Sequence, residues 1–372
     1  MATSKSLQAV VLATSTLVAV SKAFEEISSD RCDCFLTNGS TATYFAGHKF
    51  FDFRSLPQYA YVPAHIEDAY ESSYATPASE YFSSEEWTST WGIQGWNNSG
   101  TLDAGVASVL MVHSPNNVYI ETNRDDDPAS ETFMTLRTIR LRDYQSSAEF
   151  ESVDRGYQFV SMRMLARTIG APGAITAMFT YRGDEEFSRI QESDLEFRTI
   201  DPPNTVHCTN QPAVDGEGAR VEEATRNVTI PGRLTHRDWA VYRMDWTPAD
   251  TTWYINGQNI ASIAFQSPRD PSILMFNSWS DGGSWTGNMT VGNEAYLHVQ
   301  WIELVYNTTT PENSGREEGQ CYNVCSIDET ETVGTPVLLQ SGASGLLDRT
   351  RGFGRAVSWI PWLAMVAMIC ST

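Results

Sequence analysis

Three acids stand at alternate positions in SRIQESDLEFRTI, residues 188–200: Glu192, Asp194 and Glu196. On a β-strand, residues i, i+2 and i+4 point to one face. The three carboxyl groups would therefore share a face, with Ser193, Leu195 and Phe197 on the other. With 46 acids in 372 residues, random placement yields roughly 0.7 such triples, so spacing alone selects no role. One reading is a solvated edge strand that carries charge against aggregation. The setting favours a second reading. The row follows the apolar run AMFTY and has an apolar reverse face. That describes a central strand, where three like charges repel and add nothing to packing. Two carboxyl groups suit glycoside cleavage, one as nucleophile or base and the other as protonated acid. The Cα atoms of Glu192 and Glu196 would lie about 13 Å apart at the usual strand rise. Two glutamates leaning inward on a concave face reach the ~5–5.5 Å separation of a retaining mechanism. Asp194, between them, would shift its neighbours' proton affinity.

Such a row needs a sheet to hold it. From about Ala104 the chain is a series of short β-type runs broken by Gly, Pro, Asn and Asp, among them GVASVLMVH, RGYQFVSMRMLART, GAITAMFTYRG, SILMFNSWS and AYLHVQWIELVYN. This pattern predicts an all-β antiparallel sandwich or barrel without internal repeats. WTPADTTWYINGQNIAS reads as successive hairpins, turned at Pro248 to Asp250 and at Asn256-Gly257. Residues 24–103 are less regular and aromatic. They would wrap the sandwich or lend it strands, within one domain spanning 24–310. Residues 311–340 turn polar and read as a stalk tethered by cysteines.

The ordered pieces resemble glycoside hydrolase family 16, the group that holds lichenases, laminarinases and fungal cell-wall transglycosylases. The matching segments are FTYRGDEEFSRIQESDLEF, then YRMDWTPADTTWYINGQNIAS, then PSILMFNSWSDGGSW, from about Tyr157 to Tyr306. TIDPPNTVHCTNQP is similar to segments of fungal secreted members. The resemblance implies a concanavalin A-like β-jelly-roll of two antiparallel sheets, with a concave cleft for β-glucan and retention of configuration. Residue by residue it implies Glu192 as nucleophile, Asp194 as assisting acid and Glu196 as acid/base. Tyr181, Asn277, Trp279 and Trp285 are expected to contact substrate. No extra residue separates Asp194 from Glu196, as it does in laminarinase-type members, which favours the regular-strand branch.

Composition bounds the partners. The net charge of −21 repels a phosphate backbone, so nucleic acid is excluded as a partner, and the same charge aids solubility. The six histidines are scattered, with no H-E-x-x-H and no G-x-S-x-G, so neither a catalytic metal nor a serine elbow is expected. Some family members bind structural calcium; NRDDDP, Asn123 to Pro128, reads as a solvated turn rather than a calcium loop. In WTSTWGIQGW, Trp87, Trp91 and Trp96 are either a sugar platform or core.

Both ends look like processing signals. Residues 1–23 read as a signal peptide, with Lys5, an apolar run and small residues at Ser21 and Ala23. Residues 341–372 read as a glycosylphosphatidylinositol-attachment signal: small residues, a polar spacer, then an apolar tail too short to span a bilayer. Removing the tail removes Cys370. Cys32 and Cys34 near the mature start, with Cys321 and Cys325 near the tail, then form two disulfides of open pairing, leaving Cys208 free. Asn38, Asn97, Asn227, Asn288 and Asn307 occupy Asn-x-Ser/Thr sequons and predict glycosylated surface sites. Together these readings predict a secreted, cell-surface, lipid-anchored monomer. It would cleave β-1,3- or mixed β-1,3/1,4-glucan of the cell wall, with wall transglycosylation or glucan-binding without catalysis as the alternatives. No cofactor is expected.

Overall fold

The computed structural model describes residues 24–40, 43–105, 107–314 and 320–341. The expected signal peptide and, apart from Ser341, the expected anchor signal lie outside the described residues. The described chain is almost wholly β. One sheet runs, in hydrogen-bonding order, Thr225–Thr229, Thr205–Gln211, Gln191–Arg198, Ile175–Arg182, Ile273–Trp279 and Gln145–Ser152. The second runs Thr132–Arg140, Glu294–Thr308, Tyr157–Gly170, Ala240–Trp246, Thr251–Ile255 and Gln258–Ile263. They meet where Arg140 pairs with Gln145.

Period-two alternation decides which side chains fill the sandwich. Met178, Leu195, Phe197, Leu274 and Phe276 project from the first sheet into one buried cluster with Met162, Met164, Tyr242, Trp246 and Leu304 of the second. The alternate residues Ala177, Phe179, Ile273 and Met275 form a separate apolar cluster on the outer face of the first sheet. That face is the floor of the cleft. The expected hairpins are present: Trp246 pairs with Thr251, and Ile255 with Gln258. Asn256 and Gly257 both take positive φ, 48° and 78°, as a two-residue hairpin turn requires.

Of the two roles open to residues 24–103, strands are lent to the sandwich. Gly47–Asp52 pairs along Glu294–Thr308, and Trp91–Ile93 pairs along Gln145–Ser152. Trp87 and Trp91 pack edge-on against Phe150, and Phe53 and Phe51 pack edge-on against Trp87 and Trp91 in turn.

The stalk reading of 311–340 is corrected. Asn323–Ser326 and Val337–Ser341 are strands of a five-stranded sheet shared with Glu25–Glu26, Cys34–Leu36 and Tyr44–Phe45. Disulfides Cys32–Cys325 and Cys34–Cys321 cross it, and Cys208 is free and buried. The segment's polarity misleads because its acid is buried by pairing. Asp328 receives Arg163 at 2.7 Å and Arg243 at 3.2 Å, and Arg243 also pairs with Asp245. A second correction concerns the sequons. Asn38, Asn97, Asn227 and Asn288 are exposed, but Asn307 is 4% exposed. Its amide accepts from Ala46 and donates to Tyr44, so this one sits inside the fold.

Candidate active site

The acidic strand, Gln191–Arg198, is internal, between Ile175–Arg182 and Thr205–Gln211. Its pairing with Ile175–Arg182 has no bulge, as the regular spacing requires. Glu192, Asp194 and Glu196 point to the cleft, and Ser193, Leu195 and Phe197 are buried on the reverse face. The register then lays out the floor in rows. Tyr181 lies opposite Glu192, Phe179 opposite Asp194, and Ala177 opposite Glu196. One strand further, Asn277 lies opposite Ala177 and Met275 opposite Phe179. Beyond them Glu149 lies opposite Asn277, and Glu151 opposite Met275.

The three acids line a pocket of about 200 Å³ with Trp96, His113, Glu149, Asn277 and Trp279. Glu192 and Glu196 are half-buried and Asp194 is 2% exposed. Removal from water disfavours carboxylate, and adjacent like charge disfavours it further. Burial pushes Glu192 up to about 7, with Glu149's charge adding to the rise and a hydrogen bond from Asp194 opposing it. Burial pushes Glu196 up to about 8, aided by the charge of Glu192 and opposed by Trp285 and Arg198. Burial and the charges of Glu192 and Glu196 hold Asp194 well above the usual carboxylate range. The rise favours the protonated form of Asp194, whose hydrogen bond to Glu192 stabilises the Glu192 carboxylate, while Gln211 Nε2 donates to Asp194 Oδ2 at 3.2 Å.

Glu196 has its own support. It accepts a hydrogen bond from the Trp285 indole. The Arg198 guanidinium lies 4.2 Å from the Trp285 ring centre and donates to its carbonyl at 3.0 Å. His207, across the ladder from Glu196, meets that ring edge-on at 5.3 Å. Asp201 and Asn227 hold His207 at 2.6 and 2.9 Å.

The structure thus brings together every residue assigned to chemistry or substrate. Asn277 and Trp279 line the pocket with the acids, Tyr181 lines the groove next to it, and Trp285 bonds Glu196. The tryptophan run divides. Trp87 and Trp91 are core at 1% exposure, whereas Trp96 is 45% exposed at the pocket rim. Sequence reasoning missed Glu149, His113 and Gln211. For Glu149 a signal existed in QSSAEFES, where Glu149 and Glu151 alternate with Ala148 and Phe150. The turn at NRDDDP is only partly solvated. Asp125 is held by Arg167 Nη1 and Nη2 at 3.0 Å each and by the Trp239 indole at 3.0 Å.

Over 151 residues the chain is 27% identical to a beta-glucanase of Bacillus amyloliquefaciens, covering 40% of this chain and 58% of that protein. Over 149 residues it is 26% identical to a beta-glucanase of Bacillus subtilis (strain 168), covering 40% and 57%. The chain thus spans a little over half the length of these relatives. A solved endo-beta-1,3-glucanase from Pyrococcus furiosus aligns at a TM-score of 0.47 and 14% identity, covering 74% of this chain and 99% of that one. The family profile Glycosyl hydrolases family 16 matches residues 113–303. That span runs from the pocket histidine into Glu294–Thr308, an internal strand of the second sheet, and is just over half of the 372 residues: the chain belongs to glycosyl hydrolase family 16.

Proposed function

We propose that the chain is a retaining β-glycosidase acting on β-1,3- or mixed β-1,3/1,4-glucan. The observation that carries this reading is the set of three carboxyl groups on one face of an internal strand, lining one pocket. Asp194 is held well above the usual carboxylate range beside Glu192, and Glu196, on the same face, is raised to about 8. In this reading ionised Glu192 attacks the anomeric carbon as Glu196 gives its proton to the departing glycosidic oxygen. Asp194's hydrogen bond favours the ionised nucleophile before attack. Glu196, now a carboxylate, takes a proton from the incoming acceptor. The acceptor oxygen displaces Glu192, and two inversions leave the configuration unchanged. Water as acceptor makes a hydrolase, and a sugar hydroxyl makes a transglycosylase. The beta-glucanases among its relatives support glucan as the substrate class.

The finer reading is a protein of fungal secreted type, carried through the secretory route and held at the cell surface by a lipid anchor. Two disulfides between the chain ends fit an oxidising compartment, and four exposed sequons fit glycosylation. The test is incubation of wild type and Glu192→Gln with laminarin, lichenan, chitin oligomers and a β-galactan, with products read by mass spectrometry. Wild-type product from a β-glucan, absent in the variant, is expected. Equal product from both removes Glu192 as nucleophile. Binding by wild type without any product replaces the enzyme reading with a lectin.

A further inference from the structure

We propose that Asp201, on the turn that follows the acidic strand, is the positioning residue of the acid/base. It holds Arg198 and His207, these two hold the Trp285 indole, and the indole holds Glu196. This deepens the proposed retaining mechanism and rests on it.

Trp285 donates to Glu196 from an exposed position. It is 42% exposed and stands in a turn over residues 284–286 rather than on a strand. One indole N–H can hold one carboxyl oxygen, and so it fixes the rotation of the group that must deliver the proton. A donor on such a turn does this only when its ring is braced from outside the turn. Two side chains supply the brace. The Arg198 guanidinium lies 4.2 Å from the ring centre and donates to the Trp285 carbonyl at 3.0 Å, and His207 meets the ring edge-on at 5.3 Å. Both belong to the ladder that carries Glu196. Arg198 stands two residues along the same strand face, and His207 lies directly across.

Asp201 joins the two braces through one oxygen. Its Oδ2 accepts from His207 Nε2 at 2.6 Å and lies 3.7 Å from Arg198 Nη1. A carboxylate can only accept, so His207 Nε2 is the donor, and the ring orientation is set. Asn227 Oδ1, 2.9 Å from Nδ1, ties the other edge of the ring. The backbone under Asp201 is rigid. Asp201 N donates to Arg198 O at 3.0 Å and Thr205 N to Pro202 O at 2.9 Å, and between them Pro202 and Pro203 fix φ. The same turn touches the loop it serves, because a Cβ on Gly287 would come within 3.0 Å of Ile200 Cγ2. Of the described residues that line the pocket of the three acids, neither Asp201 nor His207 is one. Asp201 therefore acts through the indole, and displacing a proton donor by about 1 Å costs on the order of 10²-fold in rate.

The test compares two leaving groups on one β-glucan oligosaccharide. The natural sugar must be protonated as it departs, whereas a dinitrophenolate, with its delocalised charge, need not be. Asp201→Ala should lower kcat/KM on the natural oligosaccharide roughly ten- to hundredfold, with the loss in kcat. On the dinitrophenyl glycoside kcat/KM should stay within about twofold of wild type, because that departure needs no general acid. Asp201→Asn keeps a carbonyl acceptor for His207 and should retain more activity than Asp201→Ala. In a Trp285→Phe background Asp201→Ala should cost little more, because the two act along one path. Equal losses on both substrates, no loss on the natural one, or full additivity with Trp285→Phe would overturn the proposal. The isotope-edited indole N–H signal of Trp285, identified as the one missing from Trp285→Phe, reads the contact without turnover. It should move in Asp201→Ala, and an unmoved signal would equally overturn the proposal. That reading holds where the wild type cleaves no glucan, an outcome that counts against the glucan reading alone. Asp201→Asn replaces Asp201→Ala in every measurement if melting curves show the alanine variant unfolded.

Discussion

Asp194 hands a hydrogen bond to Glu192 along one face of a single strand, and Gln211 Nε2 donates to Asp194 Oδ2. The donated proton favours the ionised form of Glu192. Asp194→Ala removes the donor, so the pH at which Glu192 ionises rises, and the acid limb of kcat/KM moves to higher pH. Asp194→Asn keeps an N–H donor and should move that limb less. Both should lower kcat, Asp194→Ala by roughly 10²-fold or more, in the range of positioned proton-transfer groups. Initial rates across pH for the two variants and wild type check the order.

Turnover in the proposed mechanism needs Glu192 ionised and Glu196 protonated. With Glu192 at about 7 and Glu196 at about 8, the kcat/KM profile should be a bell with its maximum between those values. The limbs belong to the coupled row as a whole. Glu149's negative charge raises Glu192, so Glu149→Gln should move the acid limb to lower pH. A limb that stays in place would show that Glu149 exerts no field on the nucleophile.

Trp285 and Arg198 both favour ionised Glu196. Removing either raises the acid/base, so Trp285→Phe and Arg198→Gln should each shift the basic limb to higher pH. Trp285→Phe, which also loses the indole that contacts Arg198 and His207, should cost more in kcat. A basic limb moving to lower pH in either variant would contradict the assignment of Glu196 as the acid.

The raised acids also set a stability trend. A carboxyl group ordinarily near 4.5 and raised to about 8 in the fold binds its proton more tightly folded than unfolded. Between those values the native state holds more protons, so stability falls as pH rises. Glu196→Gln cannot ionise. Its melting temperature should match wild type near pH 4 and exceed it increasingly toward pH 8. Calorimetry at several pH values reads the difference.

The acidic strand, its two faces and its central place were legible because period two is local: Leu195 and Phe197 identify the core side within five residues. The Asn256-Gly257 turn was legible because few residues accept both positive φ values. What escaped is non-local. Glu149 reaches the catalytic pocket only through the pairing of four strands, a register that no short window contains. Asn323–Ser326 and Val337–Ser341 are too short to show periodicity, and the burial of Asp328 depends on Arg163 and Arg243 from distant strands. Trp96 and Trp91 stand five residues apart in one run, and only tertiary packing separates the exposed ring from the buried one.

The most direct test is covalent trapping. An activated 2-deoxy-2-fluoro β-glucosyl oligosaccharide slows both steps but leaves a good leaving group, so the glycosyl-enzyme accumulates. Peptide mass spectrometry of the inactivated protein should find one sugar adduct, on Glu192, and Glu192→Gln should take none. An adduct on Glu196 or Glu149, or turnover that inverts the anomeric configuration without any adduct, would contradict the account.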